Sequence, residues 1–131
     1  MEHPPHQALA STLEQARRRG RLLRQALPGV MKAFSEVHRA VMTEGALGVL
    51  HKELIALALG IGARCEGCIL HHLRAALEAG ASREQILEAI GVAVLMGGGP
   101  ATVYGGRAVE LLEQLLAEGT PPAGTQGARE L

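Results

Sequence analysis

Apolar residues recur along this chain in steps of three and four, the spacing that lines one side of a helix. Leu9, Leu13, Ala16, Leu23 and Leu27 keep the rhythm, with Gly20 filling the gap, until Pro28-Gly29 interrupts it. Val30, Phe34, Val37 and Val41 resume it before a "TEGALG" turn. A third stripe (Leu50, Leu54, Leu57, Ile61) predicts a helix from about Val49 to Gly62. The fourth carries Cys65, Ile69, His72, Leu73, Ala76 and Leu77 on one face, and Gly80 breaks it. Ser82 followed three residues later by Gln85 reads as a capping box opening a fifth helix, with Ile86, Leu87, Ile90 and Val94 as its stripe. That helix turns apolar on all sides over Val92–Met96, so it needs cover on two sides, which points to a subunit interface. Pro100 fits the first turn of a last helix, whose inner face is Ala108, Leu111, Leu112 and Leu115. No stretch alternates as a strand would, so the expected fold class is all-α, about six helices.

Composition agrees with that pattern. Of 131 residues, 47% are hydrophobic but only 2% aromatic, so the core must be built from Leu, Ala, Val and Ile. Such a core suits close-packed helices. The length predicts a single helical domain over residues 6–119, between unstructured ends at 1–5 and 120–131. Thirteen basic side chains balance thirteen acidic ones, so no net field recruits nucleic acid or an anionic membrane. The local basic run Arg17–Arg19 has no aromatics beside it for base stacking and reads as a solvated or subunit-facing surface. The uncharged stretch 89–106 is split by Gly97–Pro100 into pieces too short for about 30 Å of hydrocarbon. The polar, proline-rich start does not resemble a signal peptide, so the expected compartment is the cytoplasm, where paired cysteines are reduced and functional.

The chemistry concentrates in "RCEGCILHH", residues 64–72, which holds both cysteines and two of the six histidines. A Cys-x-x-Cys at a helix N-terminus meets unpaired backbone N–H groups and the positive end of the helix dipole, which favour thiolate over thiol. Sulfurs three residues apart can close a disulfide across the first turn. His72 lies four residues after Cys68 on the same side, where an imidazole can take the thiol proton. Glu66 places a negative charge beside both cysteines, which opposes the helix-end effect. His71 points about 100° away from His72 and reads as a surface residue. Glu53 lies beside the stripe of the third helix. On periodicity alone it is an edge carboxylate pairing with Lys52 or Arg64, yet the short "GARC" turn also allows it to face His72. Three readings stay open on these residues: a redox dithiol, a metal site completed by Glu53 or a histidine such as His38, and core-facing thiols without chemistry.

Taken together, Glu53, Cys65, Cys68 and His72 give a pattern in which a glutamate is followed twelve residues on by Cys-x-x-Cys-x-x-x-His. This strongly resembles the carboxymuconolactone decarboxylase/AhpD-like family. The resemblance runs through "LPGVMKAFSEVHRAV", "GALGVLHKELIALALGIGARCEGCILHHLRAALEAGAS" and "MGGGPATVYG", roughly residues 27 to 118. It implies that Cys68 is a peroxidatic cysteine, Cys65 its resolving partner, and His72 with Glu53 the proton relay. It further implies a peroxidase or disulfide reductase without a bound cofactor or metal, assembled as a homo-oligomer (a trimer or hexamer). The reductant it implies is a dithiol, such as a lipoylated or thioredoxin-like protein. The lactone decarboxylases of the family are the rival class, and their reaction does not use a cysteine pair.

Overall fold

The computed structural model describes residues 5–119, and for residues 5–10 and Thr12 the backbone alone. Six helices follow in order: α1 (Pro5–Ala26), α2 (Pro28–Val41), α3 (Val49–Gly62), α4 (Glu66–Glu78), α5 (Arg83–Gly97) and α6 (Gly99–Ala117). No strand occurs among the described residues, whose fold is all-α. Pro5 already belongs to α1, one residue inside the end assigned to the N-terminus; residues 1–4 and 120–131 lie outside the described residues. Among the described residues no helix is long and apolar enough to cross a membrane.

The described residues fall into two compact units, the first ending at Thr43 and the second beginning at Glu44. In the first unit α1 packs against α2. Pro28 opens α2, where its missing N–H costs nothing, and Leu27 is the residue before it. The stripe expected on α2 has the right spacing, yet Val30, Phe34, Val37 and Val41 are all exposed, Phe34 by 63%. A pair of helices has too little surface to cover both of its apolar stripes, and α2 buries no residue at all.

The second unit carries the core. α3 packs against α4, α5 and α6, and α6 lies against α4 and α5 as well. Leu57, Ile61, Ile69, Leu73, Ile86, Leu111 and Leu112 are its largest fully buried side chains. Burial of each is worth about 1.5–3 kcal/mol, so these seven hold the four helices together. The capping box at Ser82 is complete: Gln85 N–H donates to the serine Oγ (3.1 Å), and Ser82 N–H donates to Gln85 Oε1 (2.9 Å). The α5–α6 break falls at Gly98, whose φ of +65° belongs to the left-handed region. A side chain there would be strained, which accounts for glycine at this turn. Past the break, Pro100 sits in the first turn of α6, and Ala108, Leu111, Leu112 and Leu115 are buried as their spacing predicted.

The turn from α3 to α4 positions the cysteines. Cys65 N–H donates to the Gly60 carbonyl (3.0 Å) and Arg64 N–H to the Ile61 carbonyl (3.1 Å). These are the two reverse bonds of a Schellman ending, in which the residue after the C-cap turns left-handed. That residue is Arg64, at φ +56°, and among the described residues it is the sole non-glycine with positive φ. A left-handed L-residue costs about 1–2 kcal/mol, so Arg64 is strained where glycine would not be. Replacement of Arg64 by Gly is therefore expected to stabilise the protein by up to about 1 kcal/mol, part of the relief being lost to the freer unfolded chain. Thermal unfolding at matched protein concentration should show a midpoint raised by about 3–5 °C. An unchanged or lowered midpoint would count against strain at this turn.

Candidate functional site

Cys65 closes the α3–α4 turn and is also the N-cap of α4, with extended backbone dihedrals of −110° and 97°. Its Sγ accepts a hydrogen bond from Cys68 N–H at 3.2 Å. A sulfur thus takes the place that a serine or aspartate oxygen fills at other helix starts. Cys68 lies in the first turn of α4, and a disulfide joins it to Cys65 with their Cα atoms 5.2 Å apart. Cys68 is exposed and Cys65 half-buried.

Gly60 is what lets α4 come this close to α3. It is buried, and a Cβ built on it would stand 3.3 Å from the Cys68 Cβ and 3.5 Å from the Ile69 backbone nitrogen. A larger residue would push the cysteine turn away from α3. An isolated glycine inside the apolar stripe of a helix was the signal in the sequence, because glycine there weakens the helix unless something approaches it closely.

Glu53 is only 3% exposed. The Glu53 Oε2 lies 2.7 Å from His72 Nδ1, so α3 and α4 share a part-buried polar contact. Of the alternatives in the sequence, the structure takes the one in which Glu53 faces His72 rather than Lys52 or Arg64. The contact needs a proton between the two atoms and fixes the orientation of the imidazole. His72 follows Cys68 by one helical turn on α4, so both lie on one side of the helix. His71 is exposed and meets the His72 ring edge-on, with ring centres 4.8 Å apart. Among the described residues no group of three or more His, Cys, Asp or Glu side chains is gathered as a metal ion would require.

The charge between the cysteines has a partner that no local spacing signals. Arg107, on α6, donates from Nε (2.9 Å) and Nη2 (2.6 Å) to Glu66 Oε1, and from Nη1 to Glu110. Partial burial pulls the Arg107 pKa down, but the hydrogen bonds and charges of Glu66 and Glu110 outweigh it and hold the guanidinium above its ordinary range. Arg107 lies 41 residues from Glu66 in sequence, so only the packing of α6 on α4 brings the pair together.

The match to known proteins is decisive for the family. The model of the carboxymuconolactone decarboxylase family matches residues 28–111, which takes in Glu53, Cys65, Cys68 and His72. The chain belongs to the carboxymuconolactone decarboxylase family. An uncharacterized protein of Cupriavidus necator is 38% identical over 109 residues, covering 83% of this chain and 96% of the relative. The crystal structure of a carboxymuconolactone decarboxylase family protein from Legionella pneumophila superimposes with a TM-score of 0.67 at 35% identity, over 84% of this chain and 92% of that one. A family member from Thermotoga maritima, for which a part in the antioxidative response has been suggested, gives a TM-score of 0.70 at 31% identity, over 82% and 97%.

Within this family site the Glu53–His72 contact should be measurable as a coupling. Loss of His72 alone, as in His72→Phe, leaves a buried carboxylate unanswered and should cost about 3 kcal/mol in chemical denaturation. The double replacement Glu53→Leu/His72→Phe removes both polar groups and should recover most of that loss. Additive losses in the two single variants would mean that the contact is not formed in solution.

Proposed function

We propose that the protein is a dithiol oxidoreductase that reduces hydroperoxides, with Cys68 attacking, Cys65 resolving, and His72 with Glu53 relaying the proton. The observation that carries this reading is the buried Glu53 on His72 Nδ1, one helical turn below an exposed Cys68 that is already within disulfide reach of Cys65. With Nδ1 committed to Glu53, Nε2 is the ring nitrogen left to accept a proton, the arrangement that makes a histidine a directed base. Exposure of Cys68 admits a substrate.

The Cys68 thiol gives its proton to His72, and the thiolate attacks the outer oxygen of the hydroperoxide. The O–O bond breaks, the alcohol leaves with the proton returned by His72, and Cys68 becomes a sulfenic acid. Cys65 attacks that sulfur, water leaves, and the disulfide forms. An external dithiol then reopens the disulfide by exchange and is itself oxidised to a disulfide. Cys68 N–H, which reaches Cys65 Sγ, favours the Cys65 thiolate and so speeds the resolving step. The natural reductant in this reading is a lipoylated or thioredoxin-like protein. The antioxidative role suggested for the Thermotoga relative accords with it.

The N-cap sulfur favours a second reading, in which Cys65 attacks a disulfide substrate and Cys68 resolves. Both readings keep the dithiol; they differ in which sulfur meets the substrate. Either version takes the protein as a homo-oligomer, because Leu59, Leu95, Met96 and Val103 present apolar side chains to water, Leu95 and Met96 by about four-fifths. A single-chain mass in dilute solution would remove that part of the proposal.

The substitutions separate the two orders of attack. Replacement of Cys68 by Ser is expected to abolish hydroperoxide-dependent oxidation of dithiothreitol, by at least about 100-fold, since the nucleophile is lost. The Cys65→Ser variant should hold a Cys68 sulfenic acid that a dimedone probe traps. Trapping on Cys65 in the Cys68→Ser variant, with none on Cys68 in the Cys65→Ser variant, would overturn the proposed order.

A further inference from the structure

Glu66 is the first residue of α4 and sits between the two cysteines. Its carboxylate shares the helix N-terminus with their sulfurs, and a negative charge there works against a thiolate. The structure holds a counter-charge on it: the Arg107 guanidinium grips Glu66 Oε1 through two nitrogens and reaches Glu110 with a third. Arg107 is the less exposed member of the pair with Glu66, its side chain 25% exposed against 44%. The three groups together carry one net negative charge. Loss of Arg107 would leave two, and loss of Glu66 none.

We propose that Arg107 is a positioning residue for the redox pair: by holding the Glu66 carboxylate and cancelling its charge, it keeps the thiolate at the start of α4 available in the reduced protein. This inference rests on the dithiol reading given above, and deepens it by naming a residue on α6 that acts on the cysteines through Glu66. The hydrogen bonds of Arg107 go to Glu66 and Glu110, and its effect on the sulfurs is electrostatic, passing through one carboxylate. Two unit charges about 8 Å apart and screened as in water, as suits the exposed Glu66 and Cys68, change a proton equilibrium by about 0.4 pH unit, a two- to threefold change in thiolate.

Sign distinguishes this role from a structural one. If Arg107 merely ties α6 to α4, loss of either partner loosens the same turn, and both single variants shift the thiol in the same direction. If it acts by charge, the two shifts oppose each other and the double variant cancels them.

The experiment uses the full chain, reduced with dithiothreitol and freed of it, with limiting iodoacetamide as the probe. The rate of alkylation of the faster thiol is followed against pH. The Arg107→Gln variant should react about two- to threefold more slowly at pH 7, with its pH midpoint raised, and Glu66→Gln should react faster, with its midpoint lowered. Arg107→Gln/Glu66→Gln and Arg107→Lys should both lie near the parent protein. Shifts of the two single variants in one direction, or a parent-like Arg107→Gln, overturn the proposal. Should Arg107→Gln fail to fold, Glu66→Gln alone decides by its sign. Alkylation reads the charge pair and peroxide turnover reads the activity. Opposed shifts in a protein without turnover would thus support the charge pair while overturning the function.

Discussion

Glu53 is taken out of water on the inner side of α3, and a buried carboxylate without a partner would cost several kcal/mol. The imidazole of His72 meets that requirement at 2.7 Å, and in doing so sets how α4 lies on α3. Everything chemically loaded in the protein then follows from the short turn between these helices. Gly60 lets the backbone of α4 approach, its carbonyl receives Cys65 N–H, and Arg64 bends left-handed so that Cys65 can cap the next helix. One polar contact between two helices, and one tight turn joining them, place a dithiol at a helix start and a directed histidine one turn below it.

Much of this was legible in the sequence because it is local. The bounds of α3, the capping box at Ser82–Gln85, and the buried face of α6 are set by residues within a few positions of one another, where spacing and side-chain chemistry decide. The cysteines and His72 were legible for the same reason. Glu53 was only half legible: its position beside a stripe fits an edge carboxylate as well as a buried one, and the difference lies in a partner 19 residues away. Arg107 on Glu66 had no local signal, since that contact depends on where α6 packs. Arg64 escaped because nothing in its side chain announces a left-handed backbone. The stripe of α2 was correct in spacing, but spacing does not say whether a cover exists, and Val30, Phe34, Val37 and Val41 are exposed.

The two carboxylates near the thiols have opposite circumstances. Glu53 is buried and turned to a histidine, whose ring it orients; Glu66 is half-exposed and turned to an arginine. Each of the two acids beside the cysteine pair thus has a partner of its own. The exposed side chains of Val92, Leu95, Met96 and Val103 belong to the same four-helix unit as the cysteines.

The central claim is that a hydroperoxide converts the Cys65–Cys68 dithiol into a disulfide within one chain. Intact mass spectrometry of the reduced protein, before and after one equivalent of hydroperoxide, tests it most directly. A loss of about two mass units per chain is expected, with one alcohol formed per hydroperoxide consumed and full return on addition of a dithiol. An unchanged mass, with both thiols still free to alkylate after peroxide, would contradict it.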